Sequence, residues 1–404
     1  MSNLFTDPRR WANANTWRNE VVALHDTGPI HRIETDEFDP FWAVIDHAAV
    51  FDVERRHQDF NNAPETVLSK RSRIEAKRAK GAETRTLIQM DRPDHREYRR
   101  LTADWFKPSS ISRMSDRLQE LSVEALAKLE AAGGSCDFAT DIALPYPLQV
   151  ILRLLGLPES DYDRMLKLTQ EMFGSADPDH QPTDSDPAAT VLEFNKYFAA
   201  LTTERRANPT DDLASVIANG LINGEPMPDR ETLGYYIIIA TAGHDTTSAA
   251  VAVGMQQLAE NPDQLKLLQA RPELMPNAVD EMIRIASPTR SFMRTAAVDT
   301  EIAGQPVDAG DWILLSYPGA NNDPKVFEEP LRFDIERANA DKHLAFGFGI
   351  HHCLGAQLTR MELRSLFDTI VPRLESIEID GDVHTSQAIF VGGPKTLPIR
   401  YTLN

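Results

Sequence analysis

The chain has 404 residues, 42% hydrophobic and 25% charged, and its 61 acidic against 42 basic side chains leave a formal net charge of −19. That charge repels nucleic-acid phosphates and anionic membrane surfaces, so neither nucleic acid nor a membrane is an expected partner. Only Cys136 and Cys353 are present, which excludes a disulfide framework and fits a reducing cytoplasm, and no Gly/Ser linker or repeat divides the chain, so residues 1–404 read as one domain.

The opening MSNLFTDPRRWANANTWRNE has neither the apolar core of a signal peptide nor the ~20 apolar residues of a membrane anchor, so a soluble protein is expected. The first ninety or so residues mix Pro, Trp and short β-branched runs such as 42–45, which predicts a small sheet near the N-terminus. Helical apolar spacing then recurs over 110–132, 148–155, 161–173, 188–206, 229–260 and 277–285, and again from about Leu354. The stretch 174–187, GSADPDHQPTDSDP, is rich in Pro and Asp without apolar periodicity and is excluded from the core. Short strands are predicted within 300–315, near Ile389 and over 399–401.

Two segments carry chemistry. The predicted 229–260 helix is apolar on nearly every face, which marks a buried helix, yet its middle reads Thr241, Ala242, Gly243, His244, Asp245, Thr246, Thr247. A mid-helix glycine costs about 1 kcal/mol relative to alanine, and Asp and Thr are poor helix formers beside it. Thr246 can bond back to the Ala242 carbonyl and loosen the ladder, which opens a groove for a diatomic ligand and water. A carboxylate with a hydroxyl beside it, Asp245 next to Thr246, is suitable equipment for delivering protons to a ligand held there. The second segment, Phe346 to Gly355, places Cys353 in a glycine-punctuated loop just ahead of a helix whose N-terminus favours negative charge on sulfur.

The run Phe346, Gly347, x, Gly349, x, His351, x, Cys353, x, Gly355 matches every position of the haem-binding signature of the haem-thiolate monooxygenases, the cytochromes P450. The 241–247 motif is similar to that family's Ala-Gly-x-Asp-Thr-Thr, and Glu281, Arg284 and Arg337 resemble its Glu-x-x-Arg plus arginine network. The resemblance implies a mainly α fold with small β-sheets and a haem b (iron protoporphyrin IX) between the long central helix and the cysteine loop. It implies Cys353 as iron ligand, with Phe346, Gly347, Gly355 and Ala242 against the haem and His95, Arg99, Arg294 and His351 on its propionates. Thr246 and Asp245 would then serve proton delivery to O2, and Glu281, Arg284 and Arg337 would support the loop, whereas no family role attaches to His244.

No Gly-x-Gly-x-x-Gly or cysteine cluster is visible, so electrons must come from another protein. By resemblance this is a ferredoxin with its reductase, met by Arg92, Arg96, Arg100, Lys107 and Arg360, although those residues also read as a solvated basic face. The substrate pocket is expected from Leu87, Thr241, Ala242, Thr289, Phe292 and Phe390, a mostly apolar wall that favours a small hydrophobic substrate. The stretches SFMRTAAVDTE, AGHDTTS, CDFATDIALPYPLQV and FVGGPKTLPIR resemble the bacterial branch that hydroxylates monoterpenes and alkylaromatics such as terpineol and cymene. Alternatives are an aromatic carboxylate anchored by Arg290 and hydroxylated or O-demethylated, a peroxygenase, against which Asp245 and Thr246 argue, and a haem-thiolate sensor. The 174–187 stretch corresponds in the family to the roof of the pocket, and reads equally as a solvated loop.

Overall fold

The structure is a computed structural model that describes residues 2–80, 85–173 and 187–404. Helices dominate and the sheets are small, as the apolar spacing predicts. In Ser115–Ala132, Leu118, Leu121, Ala125, Leu126 and Leu129 recur at spacings of one helical face and all are buried. The predicted 148–155 and 277–285 helices extend to Pro145–Leu154 and Met275–Ala286, and the helix expected near Leu354 begins at Ala356 and runs to Ile370. Ala14–Leu24, His47–Arg55 and Pro262–Ala270 are helices that the sequence reading missed, each only about two or three turns long.

The central element differs from expectation. Instead of one helix over 229–260 there are two, Asp229–Ala242 and Asp245–Glu260, with Gly243 and His244 outside both. The cause lies in the hydroxyls, which compete for helix carbonyls: Thr241 Oγ1 donates to Ile237 O at 2.6 Å, Thr246 Oγ1 to Ala242 O at 2.8 Å and Ser248 Oγ to His244 O at 2.9 Å. Beyond the break, a Cβ on Gly254 would stand 2.8 Å from Met282 Sδ and 2.9 Å from Phe367 Cζ. A side chain there would have to push aside the ends of Met282 and Phe367, which belong to the Met275–Ala286 and Ala356–Ile370 helices packed on the central one.

The main sheet has five strands in the order Ile30–Ile33, Phe41–Val44, Trp312–Ser316, Ser291–Ala296 and Phe60–Asn61, so the expected N-terminal sheet is completed by strands from the far end of the chain. Phe41–Val44 pairs parallel to Trp312–Ser316, and Ser291–Ala296 pairs antiparallel with Leu315 opposite Phe292 and Ile313 opposite Arg294. That register fixes two predicted site residues on one rigid strand. A second sheet joins Leu374–Ile379, Pro398–Leu403 and Ser135–Asp137. The strand expected near Ile389 is not formed; the chain there makes only an isolated bridge from Val391 to Thr289, and Arg290 N donates to Phe390 O. Among the described residues no helix is long and apolar enough to cross a membrane.

Candidate functional site

The cysteine loop is folded by its glycines. Gly347 and Gly349 have φ of 63° and 71°, and a Cβ on Gly349 would stand 2.5 Å from the carbonyl O of Glu54, so both backbone shape and space demand glycine there. The loop closes through Cys353 N donating to Phe346 O at 2.9 Å, and Ala356 then opens the helix behind it. Cys353 is exposed, though it lies deep within the surrounding protein: burial pushes its thiol up, while the backbone N–H groups of Gly355 and Ala356 and the cations Arg99 and Arg360 pull it down. Its exposure is therefore to space enclosed by the protein. Ala242, exposed on a helix whose neighbours Thr241 and His244 are buried, also borders open space.

Beside the loop, four cationic or cation-forming groups converge with little to neutralise them. The His95 and His351 rings lie 4.1 Å apart, and Nε2 of each is buried without a partner. Burial, followed by repulsion from Arg99, lowers His95 to about 4; burial, followed by His95, Arg294 and Arg99, lowers His351 to about 2. Arg99 Nη2 donates to His352 O at 2.6 Å, and Arg294 Nη2 to Glu54 Oε1 at 3.1 Å, each guanidinium keeping further N–H groups. Orphaned imidazole nitrogens that repel their neighbours are what a site for a bound dianion looks like before the anion is placed, so the donor set fits the two carboxylates of a haem.

A buried ion network props up the segment before the loop. Arg284 pairs with Glu281 through two parallel bonds of 2.7 and 2.8 Å, both side chains fully buried, and Arg337 Nε adds a bond to Glu281 at 3.1 Å. The remaining guanidinium protons go to carbonyls of Asn321, Pro330, Glu328 and Arg332. The three residues therefore fasten 321–337 to the Met275–Ala286 helix, a reach that local spacing did not reveal.

On the opposite side, Thr289, Phe292 and Phe390 come together: the two rings lie 5.3 Å apart at 67°, and Arg290 N donates to Phe390 O at 2.7 Å. Leu87, on the short turn Leu87–Gln89, is held against the central helix because a Cβ on Gly234 would stand 2.3 Å from Arg85 O. Thr241 is buried, and its hydroxyl is spent on Ile237 O.

Other expectations are corrected. Arg290 is buried with its guanidinium 4.0 Å over the Trp11 ring, donating to the carbonyls of Ser386 and Ala388, so it clamps the 386–390 segment rather than standing ready for a substrate carboxylate. Arg360 is partly exposed, but its guanidinium lies 2.7 Å from Asp280 and over the Phe346 ring, so its charge is already paired. Arg100 and Lys107 each carry an acidic partner, Glu97 and Asp104, which leaves Arg92 and Arg96 as exposed cations with no ion pair among the described residues. The expected roof lies outside the described residues except for Pro187, which opens the Pro187–Ala207 helix.

Sequence reasoning missed Glu54 and Tyr317. Glu54 is fully buried, accepts from Tyr317 Oη at 2.7 Å and pairs with Arg294, while burial pushes its carboxyl up and Arg294 opposes that. No local pattern marks it; only the contact with Gly349 does. His244 was also passed over. It is wholly buried with Nδ1 3.0 Å from Asp245 Oδ1.

Residues 19–395 match the family model described as Cytochrome P450. The chain is 40% identical over 394 residues to Cytochrome P450-terp of Pseudomonas sp, covering 94% of this chain and 92% of that one. It is 31% identical to Linalool 8-monooxygenase of Pseudomonas putida, over 89% of each chain. The crystal structure of CYP108D1 from Novosphingobium aromaticivorans superposes with a TM-score of 0.92 at 42% identity, over 100% of this chain and 98% of that one.

Proposed function

The chain belongs to the cytochrome P450 family and is a monooxygenase with a haem-thiolate cofactor, and from that premise we propose that it hydroxylates a small hydrophobic molecule, a monoterpene or alkylaromatic. The observation that carries this reading is the pairing of the Phe292 and Phe390 rings, 5.3 Å apart, beside an Arg290 committed to the 386 and 388 carbonyls; with Leu87 and Thr289 they would form a mostly apolar wall. Two relatives, one named P450-terp and one named for linalool, support the same substrate class.

The cofactor in this reading is haem b, held by Cys353 through sulfur, flanked by Phe346, Gly347, Gly355 and Ala242, with His95, Arg99, Arg294 and His351 receiving its carboxylates. When bound, it supplies the activation of dioxygen that lets one oxygen atom enter an unactivated C–H bond. The net reaction consumes the substrate, O2, two electrons and two protons, and yields the alcohol and water. Within it the chain's residues have separate tasks. The Gly355 and Ala356 amides and Arg99 hold negative charge on sulfur. Thr246, having given its own proton to Ala242 O, presents lone pairs to the groove, and Asp245 delivers protons there. The aromatic pair Phe292 and Phe390 excludes water and orients the hydrocarbon. The electrons come from a ferredoxin and its reductase, docking near Arg92 and Arg96, in the cytoplasm.

Titration of the haem-loaded protein with monoterpenes, alkylbenzenes, steroids and aromatic acids tests the substrate class. Compact monoterpenes or alkylbenzenes are expected to shift the haem towards high spin at micromolar concentration, since a hydrocarbon displaces water without replacing its lone pair. A response confined to steroids or aromatic carboxylates overturns the reading.

A further inference from the structure

Three segments far apart in sequence meet around one buried polar cluster. His25 directly follows the Ala14–Leu24 helix, Asp46 caps the start of the His47–Arg55 helix, and Asp323 lies two residues past the Tyr317–Asn321 helix. All three are buried, and one nitrogen or carboxylate oxygen from each lies within 4.8 Å of the others. None of them takes part in the reaction described above.

Every side chain in the cluster is held in place from outside it. Asp46 Oδ1 accepts from Ala49 N at 3.2 Å, while Asp323 accepts from His47 N at 3.0 Å and from Lys325 N at 2.9 Å. Carboxylate oxygens with one such bond keep a further lone pair. His25 Nε2 lies 3.1 Å from Gly319 O, which only accepts, so Nε2 carries a hydrogen. The other nitrogen, Nδ1, is buried without a hydrogen-bond partner and stands 3.8 Å from Asp323 Oδ1. That separation is too long for a hydrogen bond. Two ligands of a tetrahedral ion with bonds of roughly 2.0–2.2 Å sit about 3.4 Å apart, only a few tenths closer. The cation already beside the cluster, Lys325, reaches Asp46 Oδ2 at 3.0 Å from a side chain 63% exposed, and leaves Nδ1 unserved.

We propose that His25, Asp46 and Asp323 bind one divalent transition-metal ion of the zinc class, at a site separate from the haem iron. His25 Nδ1 and one oxygen of each carboxylate supply three ligands and water a fourth. The two carboxylates balance the charge of the ion, and Lys325 swings into solvent as it binds. A histidine whose second nitrogen donates to a backbone carbonyl has the orientation usual for a metal ligand, and a nitrogen in the set disfavours Mg2+ and Ca2+, which take oxygen. The site also has a structural consequence. Its two carboxylates stand at the ends of the helices that carry Glu54 and Tyr317, which bond to each other beside Arg294. The ion therefore rivets both helices to the His25 turn from behind that pair.

The test uses the haem-loaded protein, stripped of other metals by a chelator, then titrated with Zn2+ against a fluorescent zinc indicator while the thermal midpoint is read in parallel. One equivalent is expected to bind at micromolar concentration or below and to raise the midpoint, since it binds the folded chain. Millimolar Mg2+ is expected to leave the midpoint unchanged. His25→Gln keeps a donor for Gly319 O but loses the nitrogen ligand, so with its carbon-monoxide thiolate band intact it should bind that equivalent about tenfold more weakly or worse. Lys325→Met removes the competing ammonium, so binding should tighten several-fold. No equivalent bound at micromolar zinc, or equal binding in the native protein and His25→Gln, overturns the site. Unchanged or weaker binding in Lys325→Met overturns it as well, and that comparison decides if His25→Gln fails to fold. An equal rise of the midpoint with Mg2+ overturns the assignment to a nitrogen-ligated ion.

Discussion

The two faces of the site are built on opposite terms. On the cysteine side nearly every polar group is committed to the protein: Gly349 rests on the Glu54 carbonyl, Arg99 on His352 O, Arg294 on Glu54, and Arg284 spends its protons on one carboxylate and three carbonyls. On the opposite side the central helix is interrupted: Thr246 bonds back to Ala242 O, and His244 reaches Leu144 O through Nε2 while its Nδ1, 3.0 Å from Asp245 Oδ1, has no hydrogen-bond partner. The exceptions on the cysteine side are Nε2 of His95, Nε2 of His351 and Oε2 of Glu54, buried without a partner, so its scaffold is satisfied while a few groups are left over for a ligand, whereas the central helix itself is left unfinished.

Breaking the committed side should have the larger consequences. Cys353→Ser should abolish the thiolate band of the reduced carbon-monoxide complex, and Cys136→Ser, whose thiol is raised to about 11 by burial at a sheet edge, should leave it intact. The reverse result would mean that the ligand is misassigned. Arg284→Ala leaves Glu281 buried without its principal partner and should cost about 3–5 kcal/mol. The measurement is the thermal midpoint of the haem-loaded protein, and an unchanged midpoint would refute the scaffold role.

Smaller effects sharpen the contrast. Arg96→Glu should lower ferredoxin-supported turnover several-fold while peroxide-driven turnover stays level, and Arg100→Glu should do less because Arg100 already pairs with Glu97. Equal losses with both oxidants would point to damaged haem binding instead. The mildest change is Glu362→Gln. Burial pushes the Glu362 carboxyl well above its usual 4.5, and Oε2 has no partner. The folded state therefore binds this proton more tightly than the unfolded state, so its contribution to stability is full below the unfolded value and is lost as pH rises through the folded one. The variant should gain stability relative to its parent as pH rises from about 5 to 8. A constant difference between them across that window would show that Glu362 does not titrate as its burial implies.

What the sequence disclosed follows from how local each feature is. The Cys353 loop was legible because its glycines, histidine and cysteine sit within ten residues and their spacing is itself the conformation. The back-bond from Thr246 to Ala242 was legible for the same reason. Glu281 and Arg284 were visible as a helical pair, but not that Arg284 reaches Asn321 and Pro330, since that depends on a later segment folding over them. Glu54 was illegible, because its partners Arg294 and Tyr317 belong to a sheet assembled from both ends of the chain. His244 was given no role because none attaches to its position in the family motif, and its burial against Leu144 O depends on a helix distant in sequence. Arg290 was left open as a substrate anchor, since its place just ahead of the Ser291–Ala296 strand does not tell where a long side chain ends.

The stacking of Arg290 on Trp11 extends further than its own contacts. Trp11 also stacks on Trp17 at 4.2 Å, so residues near the start of the chain brace the guanidinium that grips Ser386 and Ala388, four and two positions before Phe390. For protein engineering, a change near Trp11 is consequently expected to reach the 386–390 segment through the Arg290 guanidinium. Libraries that seek new regioselectivity have a lever at Trp11, on the opposite end of the gene from the aromatic ring it steadies.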